Sequence, residues 1–271
     1  MKKKQVLPVR SPLRYPGGKS RAVSQIINKY IPKGLPTLCA PFVGGGSIEL
    51  TLASRETKVY GYDAFEPLVK FWQVLLEDAS YLAEVVRKYQ NMTSSMFYSL
   101  QKTFSTLKDR VEIAAAFFAL NRSSFSGTTL SGGMSPGHPR FTSNSIERLA
   151  KFSIKNFTVD LADFKKSIPK HANDFLYCDP PYLIEQKLYG KRGKDFDHEG
   201  LAKLLTTRDG WVLSYNDCEE IRDMYTEHHI IEPKWSYGMG NSKKSNEILI
   251  LSKDYGKFQY RNQNIEEINA N

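Results

Sequence analysis

Cysteine is scarce in this chain. Cys39, Cys178 and Cys218 are the only three in 271 residues. A sparse, odd set without close pairing argues against a disulfide framework and against a structural zinc site. The five histidines do not fill the gap, because His228 and His229 are adjacent rather than at the i, i+4 spacing of a helical metal pair. Long apolar runs are missing as well. The basic start Met1-Lys2-Lys3-Lys4 leads only into Val6-Leu7-Pro8-Val9-Arg10, which is short and broken by a proline. No signal peptide or spanning segment is legible, so a cytoplasmic protein with no membrane association is expected. There is no internal repeat and no low-complexity tract.

The composition is that of a folded protein, with 41% hydrophobic and 25% charged residues. Charge is lopsided: 38 basic against 29 acidic residues give +9 and a pI near 9.3. Such an excess favours a polyanionic partner, either nucleic acid or an anionic membrane surface.

Three regions read differently. In the first, the loop Tyr15-Pro16-Gly17-Gly18-Lys19 precedes an expected helix from Ser20 to Tyr30, whose Val23, Ile26, Ile27 and Tyr30 share one face. Thr37-Leu38-Cys39-Ala40 reads as a strand, followed by the glycine loop "PFVGGGS", a helix from Ile48 and a second strand, Lys58 to Tyr62, ending at Asp63. That is a β-loop-α-β unit, the signal of a parallel α/β sheet. The second region, from about Pro67 to Ala150, is helical at 81–89 and 111–120 and then turn-rich. Its stretch from Asn121 to Ser145 contains no acid. The third returns to strands at Asn156–Val159, Phe175–Cys178, Trp211–Tyr215 and Glu247–Leu251. The expected plan is an α/β sheet interrupted by a helical and loop insertion.

Two loops carry the chemistry. In "PFVGGGS" the glycines admit a ligand close to the backbone, and the following helix N-terminus favours negative charge. Asp63, 19 residues after Gly44, stands where dinucleotide-type folds place an acid on ribose hydroxyls. The plainer alternative is a tight turn with a surface acid. "PGGKS" ends like a phosphate loop, but the required earlier glycine is replaced by Leu13, so ATP hydrolysis is a weak alternative.

The second loop is Asp179-Pro180-Pro181-Tyr182, directly after an apolar strand. Two prolines stiffen the turn and leave the Pro180 carbonyl without a local partner. A carboxylate and a fixed carbonyl make two acceptors on a rigid frame, with Tyr182 as an aromatic face beside them. Such a frame suits a planar base with an exocyclic amine. Gripping both amine hydrogens favours a pyramidal nitrogen, and Tyr182 would stack on the base. Positioning and electrostatics then supply the rate, and base flipping is implied. The competing view is a proline-rich loop with Tyr182 as ordinary packing.

"LRYPGGKS", "PFVGGGS", "FALNRSSFSG" and "DPPY", in this order over about residues 12–252, resemble the Dam-like DNA adenine methyltransferases. The resemblance implies a Rossmann-like, mostly parallel sheet with helices on both faces. Residues 1–66 and 151–271 would form the catalytic domain and 67–150 an inserted, mainly helical target-recognition domain. It implies S-adenosylmethionine as cofactor and double-stranded DNA as substrate, with methyl transfer to the 6-amino group of adenine. By position, Tyr15, Lys19, Phe42, Gly44, Gly46, Asp63, Asp179 and, more loosely, Asp163 and Phe164 would contact the cofactor. Asp179, Pro180, Pro181 and Tyr182 would be the catalytic frame, and Arg14 a basic DNA contact. "EILILSK" resembles a late strand of the same sheet.

The sequence departs from the pattern at Ser123 and Ser124, where larger or aromatic residues are common, and at Tyr15, where some relatives have Trp. The segment up to Ser145 matches no GATC reader, so the target sequence stays open. Arg122 and Arg140 could pair with guanine and Asn121 with adenine. Lys187, Lys191, Arg192 and Lys194 after the catalytic frame, with Lys243 and Lys244, are candidates for phosphate contacts. Two alternatives remain: an RNA or cytosine-amine methyltransferase of the same chemistry, or a non-catalytic nucleic-acid binder. A cognate restriction endonuclease and a monomer or weak dimer complete the expectations.

Overall fold

The computed structural model describes residues 7–15, 17–135, 140–183, 196–233 and 246–255. Seven strands form one sheet in the order β3-β2-β1-β4-β5-β7-β6. They are β1 (Thr37–Ala40), β2 (Lys58–Asp63), β3 (Phe157–Leu161), β4 (Phe175–Cys178), β5 (Trp211–Asn216), β6 (His229–Ile231) and β7 (Glu247–Leu251). The first five run parallel. β7 lies antiparallel between β5 and β6. The mostly parallel α/β sheet expected from the sequence is therefore what the chain forms. The short strand β6 was not legible, because "HII" offers too few residues to show a period.

Side chains alternate along each central strand and feed two cores. Leu38, Ala40, Phe175, Tyr177, Val212, Leu249 and Leu251 join one cluster, while Cys39, Leu176, Cys178, Leu213, Ile248 and Ile250 join the other. A sheet covered on both faces is apolar at every position, which is why these strands read as unbroken hydrophobic runs. The first face carries α1 (Val23–Tyr30), α2 (Ser47–Ala53), α3 (Glu66–Glu77), α4 (Ala79–Val86), α5 (Ser94–Thr103), α6 (Arg110–Ser123) and α7 (Ser143–Ala150). The second face carries α8 (Phe164–Lys170), α9 (His198–Thr206) and α10 (Glu219–Met224). Among the described residues, no helix is long and apolar enough to cross a membrane.

Helix α3, which the sequence division places in the insertion, packs against β2 and β3 on one side and α6 on the other. Phe71 of α3 and Phe118 of α6 stack with ring centroids 5.7 Å apart. Helices α4 to α7 extend this same core outward from the sheet.

Helix α6 starts at a true cap. Asp109 accepts hydrogen bonds from Val111 N and Glu112 N at 2.9 and 2.8 Å. It runs to Ser123, past the expected end at Leu120, so Asn121 and Arg122 belong to a helix and not to a loop. An Asn often breaks a helix by bonding its own backbone. Here the Asn121 side chain is engaged elsewhere, and the helix continues.

Candidate active site

Strand order reverses between β1 and β4, and in open α/β sheets the crevice at that point binds ligands. A cleft of about 330 Å³ opens there, at the carboxyl ends of the strands. Its floor is the loop 41–46 after β1. Asp63 from the end of β2 and Asp179 just after β4 enter from the sheet. Tyr15, Gly18 and Lys19 close one side. Asp163, Phe164, Phe196 and Asp197 close another.

Each wall has a local cause. Gly44 has φ +47°, and a Cβ there would stand 2.8 Å from Tyr15 Cε1, so only glycine lets the Tyr15 ring lie on the loop. Trp72 of α3 donates its indole N–H to the Gly44 carbonyl at 3.1 Å and holds the loop from below. Asp63 accepts from Gly44 N at 3.1 Å and Phe65 N at 2.9 Å. Asp163 caps α8 by accepting from Lys165 N at 2.8 Å. Phe42, Phe164 and Phe196 form an aromatic group, with centroids 5.8 Å apart for Phe42 and Phe164 and 5.3 Å for Phe164 and Phe196.

At the deep end, Lys19 donates to Asp179 Oδ1 at 2.8 Å and Oδ2 at 3.0 Å. It also donates to Tyr182 Oη at 2.7 Å and the Gly17 carbonyl at 3.0 Å. Glu247 of β7 brings a second carboxylate within 3.5 Å of the ammonium. Burial pulls the Lys19 ammonium down, but the charges and hydrogen bonds of Asp179 and Glu247 outweigh it, and the group stays raised and protonated. Burial pushes the Asp179 carboxyl up, with Glu247 adding to it, against the pull of Lys19. The Tyr182 hydroxyl lies within reach of Ser214 at 2.9 Å, Glu247 at 3.0 Å and Asp179 at 3.2 Å. With one hydrogen it can donate to one carboxylate at a time. Burial, then Asp179 and Glu247, push that phenol well above its ordinary range.

Tyr182 departs from expectation. It is 3% exposed and its ring stacks on Tyr215 at 5.8 Å. No face is open for a base, so the stacking expected of it is not offered by this arrangement. The rigid turn makes Tyr182 continue inward under the cleft. Pro180 is buried too, and Pro181 lies on the cleft wall.

Residues 15–239 match the family model for D12 class N6 adenine-specific DNA methyltransferases. The chain belongs to that family. The enzyme is 26% identical over 265 residues to a retron Ec67 DNA adenine methylase from Escherichia coli, covering 89% of this chain and 90% of that one. It is 25% identical over 245 residues to the modification methylase StsI from Streptococcus sanguinis, covering 81% of this chain and 36% of the relative.

The enzyme gathers four arginines beside the cleft, on the side of the acid-free stretch. Arg14 and Arg122 are half-buried, and Arg140 and Arg148 are exposed. Burial first, and then Arg14, Arg148 and Arg140, push the Arg122 guanidinium down to about 10. Burial first, and then Arg140, push the Arg14 guanidinium down as well. Arg122 donates through Nε and Nη2 to the Arg140 carbonyl at 3.1 and 2.7 Å. Arg14 Nη1 donates to the Ser124 carbonyl at 3.0 Å.

Asn121 must be corrected. It is fully buried, so it reaches no base. Its side chain accepts from Arg14 N at 2.9 Å and donates to the Arg14 carbonyl at 2.7 Å, with further bonds to Gly127 O and Thr129 Oγ1. It clamps the loop after α6 onto the segment that carries Tyr15. The loop itself is a minimal hairpin, closed by Phe125 N to Gly133 O at 2.9 Å and Ser135 N to Ser123 O at 2.8 Å. Lys191, Arg192, Lys187, Lys194, Lys243 and Lys244 lie outside the described residues.

Sequence reasoning missed several residues here. Glu49, Glu247, Ser214 and Trp72 face the site from elements whose patterns read as plain core. Phe125 is 62% exposed at the hairpin turn, next to Ser126 with φ +52°. The available signal was a lone large aromatic within the acid-free Gly, Ser and Thr stretch up to Gly133.

Proposed function

We propose that the enzyme transfers a methyl group from S-adenosylmethionine to the 6-amino group of an adenine flipped out of duplex DNA. The donor set fits that cofactor. Asp63 at the end of β2 suits the ribose hydroxyls, and Asp163 with Phe42 and Phe164 suits the adenine end. The glycine loop, with Tyr15 and Lys19, suits the amino-acid end. When bound, S-adenosylmethionine supplies an electrophilic methyl on a sulfonium.

The chain's own residues do the rest. Asp179 is the acceptor for the target amine. Its two oxygens offer about four acceptor positions. Lys19 takes one on each oxygen, and Tyr182 takes a third only when it turns to Asp179 and not to Glu247, so among the described residues at least one is left. Lys19 pulls against the upward push of burial on this carboxyl and so favours its accepting form. Pro180 and Pro181 fix its direction. The arginine patch takes the phosphate backbone, and Phe125 faces the duplex from the hairpin turn. A modification role beside a cognate endonuclease is part of this reading because one relative is named a modification methylase.

The observation that carries the reading is the single acceptor carboxylate of Asp179, 23% exposed, opening into a cleft shared with Asp63. The test uses labelled S-adenosylmethionine, a duplex of random sequence and analysis of the nucleosides. Label is expected in N6-methyladenine, and Asp179→Ala is expected to abolish transfer while duplex binding persists. Label in cytosine, label in RNA alone, or normal turnover by Asp179→Ala would overturn it.

A further inference from the structure

Glu49 has no task in the scheme above. It sits on the first turn of α2, behind the glycine loop, and lines the cleft while only 2% exposed. Its helix neighbours Ile48, Leu50, Leu52 and Ala53 are all buried, so the fold itself asks for an apolar residue at this position. A buried carboxylate is costly unless a positive charge or strong donors meet it.

The other acids of the cleft are engaged. Asp179 holds Lys19, and Asp197 pairs with Lys165 at 2.6 Å. Asp163 caps α8, and Asp63 accepts from two loop amides. Among the described residues no side chain donates to Glu49; the backbone amides of Glu49 and Ile48 are what reach it. Asp179 repels it, and Lys19 draws it more weakly than Asp179 repels. Lys19 already serves Asp179, Tyr182 and Gly17. Of the other charged groups on elements packed against α2, Lys29 of α1, Lys58 of β2 and Asp160 of β3 point to solvent. Asp63 stands across the cleft. The deep end of the cleft therefore holds more carboxyl groups, Asp179, Glu247 and Glu49, than the Lys19 ammonium serves, inside a protein of net charge +9.

We propose that Glu49 is the anionic partner of the positively charged amino-acid end of the methyl donor. This rests on the reading of the cleft as the S-adenosylmethionine site. The chemistry matches, because that end carries an ammonium and a sulfonium against a single carboxylate, a net charge of +1, while the adenosine end is neutral. In the protein alone, burial and then the repulsion of Asp179 push the Glu49 carboxyl up to about 8. At neutral pH it is mostly protonated. A cation against it favours the ionised form, so binding expels a proton to solvent. Glu49 is thereby a charge-selective binding residue, separate from the Asp179 grip on the base.

Calorimetric titration of the full chain tests this at pH 7 in two buffers of different ionisation enthalpy. Wild type is expected to bind S-adenosylmethionine with proton release. Glu49→Gln is expected to bind it about tenfold more weakly, as for loss of a charge-assisted contact, with that release reduced. Adenosine, which lacks the charged end, is expected to bind both proteins equally, which also shows that the variant is folded. S-adenosylhomocysteine assigns the contact. Equal weakening for both ligands places Glu49 on the ammonium, and weakening for the donor alone places it on the sulfonium; either supports the inference. Unchanged affinity and unchanged proton release in Glu49→Gln would overturn it, as would wild-type binding without proton release. If wild type bound no S-adenosylmethionine at all, the reading of the cleft would fall and this inference with it.

Discussion

Asn121 carries a hydrogen-bonding load unusual for one side chain: both polar groups of the Arg14 backbone, a loop carbonyl and a hydroxyl. Replacement by Ala leaves buried partners without bonds, and a loss of about 2–4 kcal/mol is expected in urea denaturation. A base-reading residue would instead change sequence preference at little cost in stability. Glu49 gives a second measurable effect, with a definite sign. Its carboxyl lies at about 8 in the folded protein against 4.5 ordinarily, so the unfolded chain ionises first. The stability linked to its neutral form is complete below 4.5 and is lost as pH rises through 8. Between those limits wild type should lose roughly 3–5 kcal/mol relative to Glu49→Gln. Denaturation curves of both proteins at pH 5 and pH 8 check it. These two residues also show what the sequence withheld. Asp63, Lys19 and Asp179 were legible because motif and spacing name them. Burial is not written in residue type, so Asn121 read as a base contact and Tyr182 as an open stacking face, and Glu49 did not stand out at all.

At the scale of elements, the glycine loop and the hairpin after α6 both meet the short segment Arg14–Tyr15. A Cβ on Gly127, which has φ +79°, would lie 2.1 Å from the Arg14 carbonyl oxygen. Gly127→Ala must therefore push the hairpin off this segment. Duplex affinity is expected to drop while S-adenosylmethionine binding by calorimetry is kept. Trp72 works from the other side. Trp72→Phe removes the donor to the Gly44 carbonyl, and a cost of about 1–3 kcal/mol in stability is expected, with weaker cofactor binding. The β-loop-α-β unit was legible because its strands are apolar and its turns rich in glycine. The role of α3 was not, since a helix that packs on the sheet and one that packs on an insertion show the same period.

The whole molecule separates its charges. Among the described residues, Arg14, Arg122, Arg140 and Arg148 stand together outside the cleft. The cleft itself is lined by Glu49, Asp63, Asp163, Asp179 and Asp197 against Lys19 and Lys165. One face suits a polyanion and the pocket beside it suits a small cation. Duplex affinity should therefore fall steeply with salt, and each Arg→Ala in the patch should lower the slope of log K against log[salt] by about 1. Binding of adenosine should not respond. Filter binding from 50 to 200 mM salt, roughly the range where such contacts dominate, checks both. Net charge could be counted from the sequence, but its division into two fields depends on which side chains the fold turns inward.

A chain still on the ribosome, complete as far as β6, has no strand to join that edge to β5, because β7 arrives last and inserts between them. It also lacks Glu247, which reaches Tyr182 and Lys19 beneath the cleft. Synthesis must therefore pass residue 251 before the sheet can close and the pair Lys19–Tyr182 can meet its second carboxylate.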